Sequence, residues 1–384
     1  MTITELRPAA AHWTGVDLDA HWITMAQSLA PRLAERAAGH DRAGTFVADG
    51  MRELCAAGLT SMLVPAELGG GGASFAETGA VLAELARACP ATALTLSMHS
   101  HLVAAQVWRH QRGLPAPVLA KVAAGAILVS TGASDWLGSG GTATKAEGGY
   151  RISARKSPAS GAPAGDIVVT SIRWDAAPDG PQVLHLAVPF TADGVRVEET
   201  WDTMGMRGTG SHTIVFDDVF VPEAAVSLAR PADVWHPIWG VVVGVAMPLI
   251  MSVYVGVAEE AVARATSLAV ARGADDAVRL LGRMRARLRV AQDVAARMVA
   301  ASDGFGFEST LEQAASVLER KRGVTDAVLD AVRLALEAGG GAAYSTDAGL
   351  ERLFRDAHGA LYHPLPADRQ ERFSGRLALG LDPA

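Results

Sequence analysis

The most informative part of this sequence is WDTMGMRGTGSHTIVFDDVFVP, residues 201–222. Glycine and polar residues fill its first half, and its second half is rich in Val, Ile, Thr and Phe. Such a run, bounded by turn residues, is typical of a β-strand. Similar runs, such as GDIVVTSIRW at 165–174 and QVLHLAVPF at 182–190, precede it between glycine, proline and aspartate turns. We therefore predict an antiparallel β-domain over residues 123–230.

Helical patterns flank this domain on both sides. Residues 20–38 and 75–88 carry apolar side chains at three- and four-residue spacing, which is the period of an amphipathic helix. The chain becomes helical again after residue 235. We predict a helical N-terminal domain over residues 1–122 and a C-terminal helical bundle over residues 231–384. Helices, then a β-domain, then more helices is an uncommon order that restricts the fold to few classes.

Composition indicates the broad class of the protein. The chain has 384 residues, 49% of them hydrophobic, which is enough for a large core in two or three domains. Its net charge of -7 argues against nucleic acid as a partner, because nucleic-acid-binding surfaces carry a basic excess. The first residues, MTITELRPAA, lack the features of a secretory signal, so we expect a cytoplasmic protein. The 11 histidines show no HxxxH or HExxH pairing, so no metal site is expected.

One segment is apolar enough to be interpreted as a membrane span. Residues 238–258, IWGVVVGVAMPLIMSVYVGVA, match the ~20 residues that cross a bilayer. A helix buried on all sides within a bundle has the same composition. Pro248, the glycines and Tyr254 weaken the membrane interpretation, and tryptophans flank only one end. We favour the buried helix and expect no membrane association.

The order of the predicted domains, together with residues 201–222, resembles the acyl-CoA dehydrogenase family. A second match is GGGAAYSTDAGLERLFRDA, residues 339–357, which resembles the family's Gly-Gly-x-Gly…Leu-x-Arg-Asp-Ala stretch. The resemblance implies an α+β multidomain fold, with a helical N-terminal domain, a middle antiparallel β-domain and a C-terminal four-helix bundle. It also implies FAD between the β-domain and the bundle, and a small acyl thioester as substrate, on CoA or a carrier protein. A homo-oligomer, either a tetramer or a dimer, would complete the FAD sites across an interface.

The resemblance assigns cofactor contacts to two groups of residues. Strand ends of the β-domain would meet the flavin ring. Glycines near residue 340 would let backbone approach the adenosine diphosphate of a neighbouring subunit's FAD, because glycine has no Cβ to block the phosphate oxygens. The residues at these positions, with a basic residue after the apolar helix, are Ser130, Thr131, Ala159, Ser160, Arg272, Gly340 and Gly341. An ordinary turn serine is the competing interpretation of Ser160. Glu337 stands where the family often has Gln, so either its carboxylate turns away from the pyrophosphate or the cofactor is held differently.

Three further residues are assigned to the substrate side. Ser139, in Leu-Gly-Ser-Gly-Gly, resembles a serine that the family uses along the pantetheine arm. Arg207 belongs to the Gly-Met-Arg segment. His101, like His99, either lines the pocket from the N-terminal domain or lies on a helix surface.

The catalytic carboxylate of the family is missing from this sequence. In most members it is a Glu nine residues after the Arg of Arg-Asp-Ala, and that position is Pro364 here. Other members place it on the apolar helix, where Ala246 stands. We predict His363 as the substitute, because an imidazole can accept a proton near neutral pH. Capping or packing beside Pro364 is the alternative role for this histidine.

His363 and residues 208–212, GTGSH, also resemble reduced-flavin monooxygenases of the dibenzothiophene monooxygenase type, which share the fold and need no α-carbon base. Three functions are therefore considered. The first is FAD-dependent oxidation of an acyl thioester by an acyl-CoA dehydrogenase-like enzyme. The second is a reduced-flavin-dependent monooxygenase, and the third is a non-redox member of the family that acts as a binding subunit.

Overall fold

The computed structural model describes residues 13–17, 20–131, 135, 137–273 and 275–383. Helices form the first region, and their apolar faces pack into one core that continues into the C-terminal helices. The helices of this region are α1 His21–Ala43, α2 Ala48–Ala56, α3 Phe75–Ala88, α4 Pro90–Gln111 and α5 Val118–Ala123.

Local sequence signals explain where the helices of this region begin and end. Ser74 caps α3: its side chain accepts from the Glu77 backbone N–H, and the Glu77 carboxylate accepts from the Ser74 N–H. This reciprocal capping box satisfies two backbone donors at the start of the helix. Pro90 occupies the first turn of α4, where a missing N–H costs nothing. Gly44 ends α1 with a φ of 65°, a left-handed conformation that glycine adopts without strain.

The middle region is a β-domain built from two sheets. One sheet has the strand order β1–β4–β5–β8 and the other β2–β3–β7–β6. Apolar side chains from both sheets form a second core. The strands are β1 Leu128–Ser130, β2 Thr142–Ala146, β3 Gly149–Ala159, β4 Ile167–Trp174, β5 Gln182–Pro189, β6 Val195–Glu198, β7 His212–Pro222 and β8 Val226–Pro231.

The β-domain differs from the prediction in one pairing. β1 runs parallel to β4, whereas every other pair of described neighbours is antiparallel. The predicted antiparallel β-domain is therefore confirmed for every described pair except β1 with β4. The pairing is possible because the long excursion through β2 and β3 lets β4 lie beside β1 in the same direction.

The C-terminal region is helical again, and α6, α7 and α8 pack against one another. α10 packs on α6 and α8, and α11 packs on α8. The helices are α6 Ile238–Ala271, α7 Val278–Ser302, α8 Leu311–Gly339, α9 Gly341–Tyr344, α10 Leu350–Ala357 and α11 Ala367–Ala378. The predicted domain limits at 122/123 and 230/231 stay predictions; helix gives way to strand between Ala123 and Leu128, and strand to helix between Pro231 and Ile238.

α6 is the central helix of the molecule. Among the described residues it is the helix long and apolar enough to cross a membrane, but 94% of its most apolar window is buried inside the protein. α3 and α4 of the N-terminal region and α7, α8 and α10 of the C-terminal region all contact it. A helix that is apolar on every face suits this position, because each face meets another helix.

Candidate active site

His363 lies between α10 and α11, and its imidazole contacts Tyr254 of the buried helix α6. The Tyr254 hydroxyl and the His363 Nε2 are 2.8 Å apart. Tyr254 is fully buried, and burial raises the pKa of its hydroxyl well above the ordinary value. The hydroxyl therefore keeps its proton and donates it to Nε2, which leaves the ring proton of a neutral His363 on Nδ1.

Two neighbours fix the segment that carries His363. Lys321 of α8 donates hydrogen bonds to the carbonyl oxygens of His363, at 2.9 Å, and of Leu365, at 3.0 Å. Gly359 makes room for the ring contact, because a Cβ there would lie 2.6 Å from the Tyr254 hydroxyl. Both the backbone and the ring of His363 are thus held by specific contacts.

Burial keeps the two histidines of this site uncharged. Burial first, and then the Lys321 ammonium and His101, lower the pKa of His363 to about 3. Burial likewise lowers the pKa of His101 to about 4 and that of Lys321 to about 8. At neutral pH both imidazoles are neutral, and the Lys321 charge is directed at backbone carbonyls. We call His363, Tyr254, Lys321 and His101 the His363 cluster.

α4 carries His101 and also anchors the β-domain. His101 is buried, and its Nδ1 lies 3.3 Å from the Ser97 carbonyl oxygen. His99 is buried too; its Nδ1 accepts from the Leu128 N–H at 2.9 Å, and its Nε2 donates to the Thr60 carbonyl at 2.8 Å. Neither histidine lies on an exposed helix surface. His99 ties α4 to the start of β1, and His101, two residues further on the helix, interacts electrostatically with His363.

A chain of hydroxyl groups runs from the end of β3 to the start of β7. Ser160 and Ser211 share a hydrogen bond of 2.8 Å, and Ser211 shares one of 2.7 Å with Thr209. Thr209 in turn donates to the Met206 carbonyl at 3.0 Å. These neutral groups can donate or accept, which suits the nitrogen and oxygen atoms of a flavin ring. Ser160 is therefore part of a network and not an isolated turn serine.

The other residues predicted to contact the flavin ring lie at the same ends of the strands. Ser130 is buried at the end of β1, and Thr131 follows it and donates to the Thr170 hydroxyl at 2.6 Å. Ala159 is fully buried at the end of β3. Gly161 follows with a φ of 80°, and a Cβ there would lie 3.0 Å from the methyl group of Thr95 on α4. Through His99 and Thr95, successive turns of α4 therefore lie beside the start of β1 and the glycine that follows β3.

Ser139 lies in a cleft of about 390 Å³ within the β-domain. Its hydroxyl donates to the Ser171 carbonyl at 2.6 Å and accepts from the Lys156 ammonium at 2.9 Å. Lys156 is buried and also donates to Asp135 at 2.6 Å. Ser139 thus belongs to an internal hydrogen-bond network that lines this cleft, and its contact with a substrate stays a prediction.

The residues predicted to hold the adenosine diphosphate of FAD meet at the end of α8. Arg272 donates to the Gly339 carbonyl at 2.6 Å and to the Ala338 carbonyl at 2.9 Å. A Cβ on Gly340 would lie 2.6 Å from the Arg272 guanidinium, whereas the space around Gly341 is open. The structure brings Arg272 and Gly340 together, and their contact with a cofactor stays a prediction. However, Arg272 binds the carboxyl end of a helix, so pyrophosphate would have to displace these hydrogen bonds.

Glu337 and Arg207, the other residues considered for ligand contacts, have partners within the protein. Glu337 is paired with Arg333, one turn back on α8, so its carboxylate has a cationic partner. Arg207 donates to the Asp202 carboxylate at 2.8 Å and to the carbonyl oxygens of Thr203 and Asp41. No described contact joins Arg207 to the His363 cluster, and its prediction as a substrate ligand has no support from this geometry.

The structure also contains functional features that sequence reasoning missed. In the sequence, Tyr254 argues only against a membrane span, and no pattern assigns a role to Lys321. A hydroxyl within an otherwise apolar helix and a lysine at a buried helical position are the signals that could have indicated them. Across the described ranges, no cluster of His, Cys, Asp and Glu could hold a metal ion.

The sequence and fold have well-defined relatives. Family models described as the N-terminal and middle domains of acyl-CoA dehydrogenase match residues 22–113 and 130–219. L-evernosamine nitrososynthase of a Micromonospora species is 31% identical over 388 residues, which cover 92% of this chain and 88% of the relative.

Solved structures share the fold. KijD3, in complex with FMN and dTDP-3-amino-2,3,6-trideoxy-4-keto-3-methyl-D-glucose, superposes with a TM-score of 0.85 at 28% identity, covering 96% of each chain. FMN-bound TdsC of Paenibacillus sp. A11-2 superposes with a TM-score of 0.82 at 21% identity, covering 95% of this chain and 99% of TdsC, a likeness of fold alone. The chain belongs to the acyl-CoA dehydrogenase family of flavoproteins.

Proposed function

We propose that this chain is a reduced-flavin-dependent monooxygenase. The observation that carries the proposal is the neutral His363–Tyr254 pair, beside the position where dehydrogenases of the family have a carboxylate. Pro364 and Ala246 occupy the two carboxylate positions, and neither has an acidic side chain. The relative named as a nitrososynthase supports this function better than dehydrogenation of an acyl thioester.

The electrostatics of His363 favour hydrogen bonding over base catalysis. A base whose conjugate acid has a pKa of about 3 accepts a proton poorly at neutral pH, whereas an efficient general base has a pKa near the working pH. With Tyr254 donating to Nε2, the Nδ1–H of His363 remains available to donate. A fixed neutral donor of this kind can stabilise developing negative charge on oxygen.

The cofactor that fits this arrangement is a flavin. When bound and reduced, it would supply the two electrons that cleave O₂, with one oxygen atom entering the substrate and the other leaving as water. The hydroxyls of Ser160, Ser211 and Thr209 would face the flavin ring. His363 would donate its Nδ1–H on the side of the ring where O₂ reacts. FMN fits more simply than FAD, because the donors of Arg272 already bind carbonyl oxygens.

The proposed substrate is a small molecule with an oxidisable amine. This class rests on the relatives, one of which is named for an amino sugar and another of which was crystallised with an amino-keto sugar nucleotide. A cytoplasmic homo-oligomer remains part of the proposal. Light scattering of the purified protein tests the assembly.

The decisive experiment supplies isotopically labelled oxygen, FMN or FAD, a flavin reductase and NADH to the purified chain. Amino sugar nucleotides and short acyl-CoAs are offered in parallel, and products are followed by mass spectrometry. We expect a labelled oxygen atom in an amine substrate, dependent on the reductase. Anaerobic bleaching of the flavin by an acyl thioester, without label in any product, would overturn the proposal in favour of dehydrogenation. Failure to bind either flavin would favour a non-redox binding subunit.

A further inference from the structure

A separate cleft of about 550 Å³ lies where α1, the segment 203–207 and α10 meet. Five arginines and three carboxylates are among its lining residues. We call it the arginine cleft, and these residues are Arg42, Arg207, Arg264, Arg352, Arg355, Asp41, Asp347 and Glu351. No residue of the His363 cluster is among those that line it.

Three of the arginines are already paired within the protein. Arg355 holds Asp41 through two hydrogen bonds, at 2.6 and 2.9 Å, and also contacts Glu351 at 3.4 Å. Such a bidentate pair uses the guanidinium fork fully. The other two pairs are Arg207 with Asp202 and Arg264 with Glu260, each at 2.8 Å.

Arg352 differs from these three. Only 5% of its surface is exposed, and its Nε is buried without a hydrogen-bond partner. None of the described residues forms a hydrogen bond or an ion pair with its guanidinium. Asp356, one turn further along α10, interacts with it electrostatically, but the Asp356 carboxylate accepts from the Met206 N–H instead. A buried guanidinium with unused donors is costly unless something outside the chain accepts from it.

Arg42 is the second cation of the cleft without a described partner. It lies at the end of α1, where it is exposed. Of the lining carboxylates, Asp41 and Glu351 are held by Arg355, and Asp347 is exposed. The Glu351 Oε2 is a buried acceptor without a described partner, so the unused hydrogen-bonding groups of the cleft are the donors of Arg352 and Arg42 and this one oxygen.

We infer that the arginine cleft binds a small molecule bearing an oxyanion, phosphate or carboxylate, with Arg352 and Arg42 as its direct ligands. The planar guanidinium matches both kinds of oxyanion in a bidentate geometry. A cleft of this size falls within the roughly 300–1,000 Å³ of small-molecule sites, so the ligand is larger than a bare anion. This inference does not depend on the flavin chemistry, and flavin-free protein can be used to test it.

Calorimetric titration of the purified full chain tests the inference, with inorganic pyrophosphate and citrate as probes at constant ionic strength. The variants are Arg352→Met and Arg42→Gln, and the matched control is Arg285→Gln, an exposed arginine of α7 that does not line the cleft. We expect one bound anion per chain, weakened about tenfold or more by Arg352→Met and about threefold by Arg42→Gln. Arg285→Gln should bind as tightly as the unmodified chain.

Two comparisons make the outcome decisive. Tighter binding of pyrophosphate identifies the ligand group as phosphate, and tighter binding of citrate identifies it as carboxylate. If Arg352→Met does not fold, the test is the ratio of the anion affinities of Arg42→Gln and Arg285→Gln. Absence of binding for both probes, or equal affinity in Arg42→Gln and Arg285→Gln, overturns the inference.

Discussion

The two imidazoles of the His363 cluster and the Arg352 guanidinium of the arginine cleft are buried in opposite electrical states. In the cluster, burial lowers the pKa of His363 to about 3 and that of His101 to about 4, so the imidazoles are neutral. Arginine cannot lose its proton in a protein, so Arg352 keeps its charge under similar burial. The comparison indicates that the first region suits hydrogen-bond chemistry on neutral groups, whereas the second suits a bound counter-ion.

The largest expected effect is on His363 itself. His363→Ala should lower the rate of oxygenation ~100-fold or more, because the Nδ1–H donor is lost. Initial rates with the flavin reductase system measure this loss. His358→Ala is the matched control, since His358 lies in the same segment and its Nδ1 contacts only the Phe354 carbonyl among its described partners. A loss below about threefold in His363→Ala would remove this residue from the mechanism.

Lys321 tests whether the cluster is held by its backbone contacts. Lys321→Met should lower the free energy of unfolding by about 2 kcal/mol, because the carbonyls of His363 and Leu365 lose their donor. The pH dependence should change as well. Between pH 8 and about 10.5 the unfolded chain holds the lysine proton and the folded chain does not, so the stability of the unmodified protein should rise with pH. Urea denaturation across this range should show a smaller rise in the variant, and equal slopes would contradict the assignment.

Tyr254 tests whether the tautomer of His363 matters. Tyr254→Phe removes the donor to Nε2 but keeps the ring packed in α6, so we expect a loss of about tenfold in kcat. Stability should change little beyond the cost of one hydrogen bond, about 1 kcal/mol. Tyr362→Phe is the control, because Tyr362 is exposed. Equal rates for the two variants would show that the hydroxyl does not orient the imidazole.

The sequence predicts the fold better than it predicts the site. The apolar run of α6 and the short Val- and Ile-rich strands are local patterns, and the family resemblance orders them correctly. Counting from Arg355 also identifies Pro364 at the carboxylate position and His363 beside it. The partnership of His363 with Tyr254 joins residues 109 apart, and no local pattern reports it. The parallel pairing of β1 with β4 is missed for the same reason.

The arginine residues show a second limit of sequence reasoning. Arg207 and Arg272 were predicted as ligands because of their motifs, yet both form hydrogen bonds within the protein. No sequence pattern assigns a ligand role to Arg352, yet its Nε is buried without a described hydrogen-bond partner. Whether a guanidinium is free depends on which carbonyls and carboxylates the fold brings to it. That information is tertiary, so it lies outside helical or strand periodicity.

Asp356 links the two regions, and its substitution should have the smallest effect. It is buried, accepts from the Met206 N–H at 2.5 Å, and contributes to the raised pKa of Tyr254 while facing the charge of Arg352. Burial raises its own pKa to about 6. Between about pH 4 and 6 the folded carboxyl keeps a proton that the unfolded one has lost, so this group makes stability fall as pH rises. Asp356→Asn keeps an acceptor for Met206 and should remove that fall, as denaturation at pH 4–7 would measure.

Asp356→Asn should affect anion binding in the arginine cleft more than oxygenation at the His363 cluster. Without the Asp356 carboxylate, less of the positive charge of Arg352 is compensated within the protein. Pyrophosphate or citrate should therefore bind about threefold more tightly in the arginine cleft. The His363 cluster should respond by less than twofold in rate, because Tyr254 is already neutral and still donates to His363. A large loss of oxygenation with unchanged anion affinity would reverse this expectation. It would mean that Asp356 acts on the His363 cluster, and that its carboxylate does not compensate the charge of Arg352.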